Sequence, residues 1–347
     1  MSRKMPVPFL KQLKKIFIQL RSPSDLADLL DMPIQGLKSI ADHPKYYTFH
    51  VLKKNGKKRL IEDPNDPLQD IQAILNNYLQ AIYWLQRSEG AYGFIIVPKG
   101  DDHPRNIENN ARQHLRQGWL LNADLEDFFH KVTRKQVLDL WQVAPFNFPR
   151  DLAVLLMQLT TYHGRLPMGA PTSPVLSNLA FQKIDKLLNQ HARKKGWRYT
   201  RFVDDMSFSS KEPITWNHYG PLQRMLEKAG FPFNPAKAKI FGPYDEKQVT
   251  GLVLGLEDIE VPATFYAELS KDIKKLKNAI EVQYRSGVTY SKANERFQQS
   301  VAGKLQFANR IMGMNHPAVK KMRQAYLASL EPPEHFEVRS WLDFSYF

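Results

Sequence analysis

Apolar positions recur along this chain with two different periods, and the switches between them outline its elements. Spacing of three and four residues runs through the N-terminal segment. Phe9, Leu13, Ile16, Phe17 and Leu20 share one predicted helical face, and Ser24 is placed to cap a second helix. Pro67 opens a predicted helix carrying Leu68, Ile71, Leu75, Leu79 and Ile82. Ser173 reads as an N-cap with Pro174 at the first helical position. Val175, Leu176, Leu179, Ile184, Leu187 and Leu188 follow, to an end near Gly196. Residues 265–330 return to helical spacing, with many lysines. Between these lie β-prone runs. Residues 46–62 read as a hairpin turning at Asn55-Gly56. Residues 91–106 read as a strand and a polar loop, with Asp101-Asp102 as a solvated turn.

Two of the β-prone runs carry carboxylates. Tyr199-Thr200-Arg201-Phe202-Val203-Asp204-Asp205-Met206-Ser207-Phe208-Ser209 fits a hairpin whose tight turn holds both aspartates. Leu120-Leu121-Asn122-Ala123-Asp124 fits a strand ending at a carboxylate, followed by Phe128 and Phe129. Taken singly, these are a solvated turn and a strand-end cap. Taken together, they place Asp124, Asp204 and Asp205 on adjacent strands. Neighbouring carboxylates repel unless a cation neutralises them, and Mg²⁺ prefers such hard oxygens. The set suffices for a pair of metal ions about 3.5–4 Å apart, as in polymerases and nucleases. Between the two runs, the loop Leu166-Pro167-Met168-Gly169-Ala170-Pro171-Thr172-Ser173-Pro174 feeds a helix N-terminus, where a nucleotide can approach the backbone closely.

In this order, the motifs resemble motifs A, B and C of a reverse transcriptase palm. Lys57-Lys58-Arg59-Leu60-Ile61-Glu62-Asp63-Pro64 with Leu68-Gln69-Asp70-Ile71-Gln72 resembles the preceding fingers segment. Gly230-Phe231-Pro232-Phe233-Asn234-Pro235-Ala236-Lys237 resembles motif D. Asn110-Ala111-Arg112-Gln113-His114 and Val249-Thr250-Gly251 resemble the signatures of bacterial retron enzymes. The resemblance covers residues 45–315 or so. Two departures stand out: Phe202-Val203 replaces the usual Tyr-Ala, and Met168 replaces a common Gln beside the incoming nucleotide.

The resemblance implies an α+β right-hand polymerase. Residues 1–45 would form a helical segment, 46–255 fingers and palm, 256–330 a helical thumb and 331–347 a tail. It implies that Asp124 and Asp204 bind two Mg²⁺ ions and that Asp205 supports them. Arg59, or Lys58, would meet the triphosphate of a dNTP. Phe129, five residues after Asp124, would exclude a ribose 2′-OH, with Phe128 the core member of the pair. Met168 and Gly169 would line the nucleotide pocket. Lys237, or else Lys239, would bind or protonate pyrophosphate. Asn110 and His114 share one helical face and read either as a polar brace or as template contacts. Lys271, Lys274 and Lys275, with Lys277, Lys304 and Arg310, would track template–primer phosphates. The implied function is copying part of a cognate structured non-coding RNA into single-stranded DNA, primed from a guanosine 2′-OH, in antiphage defence with an effector protein. The competing readings are a silent nucleic-acid scaffold and a group II intron-like or diversity-generating enzyme. The absence of a maturase or endonuclease extension speaks against the latter.

Composition narrows this further. Lys and Arg number 49 against 35 Asp and Glu, a formal charge of +14 that favours polyanionic partners. With 43% hydrophobic and 12% aromatic residues, the chain has ample core material. It contains no cysteine, which excludes disulfides and zinc–thiolate sites. No signal core or membrane-length run occurs, so a soluble cytoplasmic protein is expected.

Overall fold

The structure is a computed structural model, and it describes residues 5–52, 56, 58–288 and 290–331. It divides into two compact units, residues 1–250 and 251–347. The division falls at Thr250–Gly251, where both residues take positive φ (50° and 78°), slightly earlier than the expected boundary.

The first unit opens with α1 (Val7–Ile18), α2 (Pro23–Leu29) and α3 (Ile34–Asp42). α1 packs on a later helix through Leu10, Leu13 and Phe17, while Phe9 and Ile16 of the expected stripe are exposed. Ser22, not Ser24, caps α2. Its hydroxyl accepts from Asp25 N at 3.2 Å, and Asp25 Oδ2 accepts from Ser22 N at 3.1 Å. Pro23 takes the first helical turn and leaves Ser22 as the cap. A ribbon follows, β1 (Tyr46–Leu52) antiparallel to β2 (Lys58–Pro64), in register from Tyr46↔Pro64 to Leu52↔Lys58. Of its expected turn, Gly56 has φ 76° and Asn55 lies outside the described residues.

α4 (Asp66–Gln86) starts with Pro67 near its N-terminus. The strand expected within 91–106 does not form. Ala91 and Lys99 make only isolated bridges, because Gly90 and Gly93 press against Tyr199 and Val203 too closely for an alternating strand. α5 (Ile107–Arg112), β3 (Trp119–Asp124), α6 (Phe128–Lys131), α7 (Arg134–Gln142), α8 (Arg150–Thr160) and α9 (Ser173–Lys194) come next. Thr172 occupies the N-cap position of α9, one residue before the expected Ser173, and Leu187 of its expected apolar face is exposed. β4 (Arg198–Phe202), β5 (Asp205–Ser210), α10 (Trp216–Lys228), a 3₁₀ turn (Pro235–Lys237), β6 (Lys239–Phe241) and β7 (Gln248–Val249) complete the unit.

The central sheet has the order β4-β5-β3-β6, with every pair antiparallel. Leu121, Phe208, Leu75, Leu156, Leu176 and Phe181 from the sheet and from α4, α8 and α9 share one core. Burying each such side chain stabilises the fold by about 1.5–3 kcal/mol. The strands that carry Asp124 and Asp205 therefore stand on a rigid base.

The second unit has β8 (Leu252–Leu254) paired with β9 (Ile259–Glu260), then α11 (Ala263–Arg285), α12 (Lys292–Met312) and α13 (Pro317–Ala328). Leu269, Ile273 and Leu276 on one face of α11 pack with Val301 of α12, and Met322 and Tyr326 of α13 close the cluster. The expected tail lies outside the described residues after Glu331.

Candidate active site

β3 and β5 pair with Asp124 directly opposite Asp205. Phe202 pairs with Asp205 across the hairpin, so its turn consists of Val203 and Asp204. Two-residue hairpin turns need positive φ, and here Val203 supplies it at 63°. That conformation is a true outlier for a β-branched residue and costs about 1–3 kcal/mol. Several contacts hold it. Arg201 Nη1 donates to Val203 O at 2.8 Å. Leu125 N donates to Asp204 O at 2.9 Å. Gly93 sits so close that a Cβ there would lie 2.7 Å from Val203 Cγ2.

Carboxylate oxygens of Asp124, Asp204 and Asp205 all lie within 4.8 Å of one another. Asp124 is buried, Asp204 half-buried and Asp205 the most exposed. Burial and then the Asp124 charge raise the pKa of Asp204, with Lys237 and Arg59 opposing. Burial, then Asp204 and Asp124, push Asp205 up to about 7. Lys237 Nζ lies 2.7 Å from Asp124 Oδ2. Burial disfavours its charge, but this bond and the three carboxylates outweigh it and raise its pKa. The 3₁₀ turn aims Lys237 because Asn234 N donates to Asp124 O at 2.7 Å and so lays the segment beside β3. Lys239 instead pairs with Asn122 in the sheet. Crowded carboxylates with hard oxygens and raised pKa values fit a divalent cation such as Mg²⁺.

Beneath the turn lies a buried ion pair. Arg201 donates to Asp185 through Nε at 2.9 Å and Nη2 at 2.7 Å, and Tyr199 OH adds a bond of 2.7 Å. The guanidinium stacks between Phe128 and Phe181, 5.5 and 4.7 Å from their ring centres. Asn178 of α9 accepts from Arg201 Nη2 at 3.1 Å and donates to Gly93 O at 2.9 Å. The pair thus ties the Val203 turn to α9 and to the Gly93 loop. No short motif announces it; the arginine before Phe202 is its only trace in the sequence.

The loop carrying Met168 and Gly169 docks on β2. Glu62 N donates to Met168 O at 2.7 Å. Gly169 has φ 135°, and a Cβ there would lie 2.8 Å from Glu62 O, so only glycine fits. The buried Glu62 carboxylate accepts from Arg165 at 2.7 and 3.0 Å and from Met168 N at 3.3 Å. Burial alone would raise its pKa, but these bonds hold it below the usual range. His130 Nε2 lies 3.6 Å away, kept neutral by burial and by Arg165. Glu62 therefore joins the ribbon, the glycine loop and α6.

Phe128 is core and packs on Phe181 and Phe231. Phe129 is partly buried and faces the exposed Phe94, with ring centres 6.0 Å apart. Lys58 and Arg59 are exposed on opposite faces of β2, and the Arg59 charge is felt at Asp204. The sequence reading gives Glu62 no role of its own and does not single out Arg165 or Phe94. Each acts through a partner distant in the chain.

Asn110 and His114 are not template contacts, because both are fully buried. His114 bridges the hairpin, with Nδ1 2.7 Å from Ser209 Oγ and Nε2 2.7 Å from Thr200 Oγ1. Burial pushes its pKa down to about 3, so it is a neutral brace. The second signature segment meets the helix that carries Asn110: Thr250 Oγ1 donates to Ile107 O, at the start of α5, at 3.0 Å. Asn122 extends this to the strands that carry the carboxylates, donating to Gln248 O at 2.7 Å and accepting from Ser207 at 2.9 Å. In the second unit, Lys271, Lys274, Lys275 and Lys277 are exposed on α11. Lys304 is engaged by Asp272 at 2.6 Å, and the Arg310 guanidinium lies 5.6 Å from the Phe307 ring centre.

Residues 51–257 match the family described as reverse transcriptase (RNA-dependent DNA polymerase). The chain belongs to this family and is, as such, an RNA-directed DNA polymerase. Its relatives place it among the retron-type enzymes. It is 31% identical to the retron Ec86 reverse transcriptase of Escherichia coli, over 66% of this chain and 69% of that one. It is 28% identical to the retron Mx162 reverse transcriptase of Myxococcus xanthus, over 76% of this chain and 59% of the relative. Against the retron Mx65 enzyme of the same organism it is 30% identical, over 70% and 61% respectively. The matches thus span about three fifths of the Myxococcus enzymes. A solved telomerase from Candida albicans, in complex with a fragment of telomeric RNA, aligns at TM-score 0.48 and 9% identity, over 86% of this chain and 64% of that one. Among the described residues, no helix is long and apolar enough to cross a membrane.

Proposed function

We propose that this chain copies part of a cognate structured non-coding RNA into single-stranded DNA, starting from a guanosine 2′-OH and leaving a branched RNA–DNA product. The convergence of Asp124, Asp204 and Asp205 within 4.8 Å carries this reading. A silent scaffold would gain nothing from carboxylates crowded where phosphates must pass. In this reading the ribbon belongs to the fingers, the central sheet to the palm and α11–α13 to the thumb of a right-hand polymerase. Asp124 and Asp204 hold a pair of Mg²⁺ ions, with Asp205 shaping the field beside them. When bound, the ions supply a lowered pKa at the attacking hydroxyl and a stabilised pyrophosphate. Lys237, beside Asp124 at 2.7 Å, would be the cation that meets the pyrophosphate. Arg59 meets the dNTP triphosphate, Phe129 closes the space of a ribose 2′-OH, and Met168 and Gly169 bound the base. The retron kinship supports a role in antiphage defence with an effector protein.

Asp204→Asn with Asp205→Asn should reduce primer extension on an RNA template with Mg²⁺ to background, while gel-shift binding of the same RNA persists. Full extension by the double variant would defeat the assignment.

A further inference from the structure

The end of the central sheet opposite the carboxylates carries the opposite charge. There β4 begins at Arg198, paired with Ser209, and β3 begins at Trp119, paired with Ser210. At about 3.3 Å per strand residue, this edge lies roughly 17–20 Å from the Val203–Asp204 turn. Arg116, Arg198 and Lys211 are exposed along it. Arg198 Nη1 donates to Gln113 O at 2.8 Å, and Gly118 packs on the Lys211 carbonyl, 3.2 Å from where its Cβ would be. The C-terminus of α9 adds exposed Lys194 and Lys195. Lys195 Nζ lies 5.5 Å from the Trp197 ring centre, and Trp197 packs on His218 of α10 at 5.1 Å. At the start of α10, Trp216 is 57% exposed, its ring edge-on to Tyr219.

The ion pairs formed among the described residues involve none of these cations. Glu212, beside Lys211, is the carboxylate nearest to them in sequence. Their field reaches inward. Burial and then Lys195, Lys194 and His218 lower the pKa of His191, and Arg198 acts in the same direction on His114.

We propose that this sheet end is a second nucleic-acid contact, which grips the phosphates of a folded RNA stem while the carboxylate end holds the strand being copied. The inference rests on the RNA-copying reading above. Cations spread over a blunt edge suit the phosphate rows of a duplex. The exposed Trp216 adds a face on which an unpaired base at the end of a stem can stack. The distance from the turn lets both ends be occupied at once.

The test uses the full chain with Lys194→Glu, Lys195→Glu and Lys211→Glu combined, none of which belongs to the catalytic site. The probe is a labelled RNA hairpin of about 16 base pairs, titrated across salt with excess poly(rA)/oligo(dT) filling the cleft. Hairpin affinity should fall by at least about tenfold, and the log–log salt slope by about 2 to 3. Extension of poly(rA)/oligo(dT) should be unchanged, and the matching Lys→Arg triple should bind like wild type. Unchanged hairpin binding by the Glu triple would overturn the proposal and leave the patch to an acidic protein partner. Parallel loss of hairpin binding and extension would also overturn it, because the contact would then belong to the cleft. Failure of the wild type to extend would count against the polymerase reading alone, since the hairpin titration stands without it.

Discussion

Asp185 lies beneath the central sheet and Asp204 lies at its end, and the fold treats the two carboxylates in opposite ways. Asp185 is fully buried, but Arg201 and Tyr199 complete its hydrogen bonding. Glu62 is similarly answered by Arg165, which overcomes burial and keeps it ionised. Asp204 and Asp205 face each other and Asp124, with Lys237 the one ammonium hydrogen-bonded to the cluster among the described residues. A satisfied pair is architecture, whereas clustered acids with raised pKa values store an unmet demand for a cation. The buried pair also holds the strained Val203 turn, so the satisfied region positions the unsatisfied one.

Breaking the satisfied region should have the largest effect. Asp185→Ala leaves a charged guanidinium buried and should lower stability by about 3–5 kcal/mol in urea unfolding. A loss below about 1 kcal/mol would mean that Arg201 finds other partners, and the contrast between the regions would collapse. Glu62→Gln should be milder. It weakens the hold of Arg165 on the glycine loop and should raise the KM for dNTP by about tenfold, with kcat little changed. Equal loss in both parameters would place Glu62 in the chemistry rather than in positioning. Phe129→Ala should change least, easing GTP incorporation relative to dGTP by up to about tenfold. An unchanged ratio in a folded variant would make Phe129 a packing residue next to Phe94.

Much of this layout is legible in the sequence. The strand ending at Asp124 and a hairpin at the two aspartates follow from apolar runs that stop at carboxylates, although the turn takes Val203 with Asp204 and leaves Asp205 on β5; α4 and α9 follow from their periodicity and prolines. Two errors have local causes. The segment after Gly90 looks alternating, but glycines there allow close packing rather than pairing. Phe9 and Ile16 fit a helical stripe with Leu13 and Phe17, yet the buried face takes Leu10 with those two and leaves Phe9 and Ile16 exposed. For Asn110 and His114 the sequence leaves a polar brace and template contacts open, and their burial against the hairpin fits the brace. The Glu62–Arg165 clamp and the Asp185–Arg201 pair were beyond reach, because 103 and 16 residues separate their partners and neither pair forms a motif.

Thermal unfolding across pH, with and without Mg²⁺, tests the central claim most directly. Asp205 is raised to about 7 from an ordinary value of 3.8, so the fold favours its neutral form. Its stabilising contribution is whole below about pH 4 and drains as pH rises toward 7. Without metal, the wild-type midpoint should fall over that window, and Mg²⁺ should restore it at pH 7 and above. Asp204→Asn with Asp205→Asn should show neither the fall nor the Mg²⁺ response. An equal rise with Mg²⁺ in wild type and double variant would contradict the account, because the cation would then be binding somewhere other than these carboxylates.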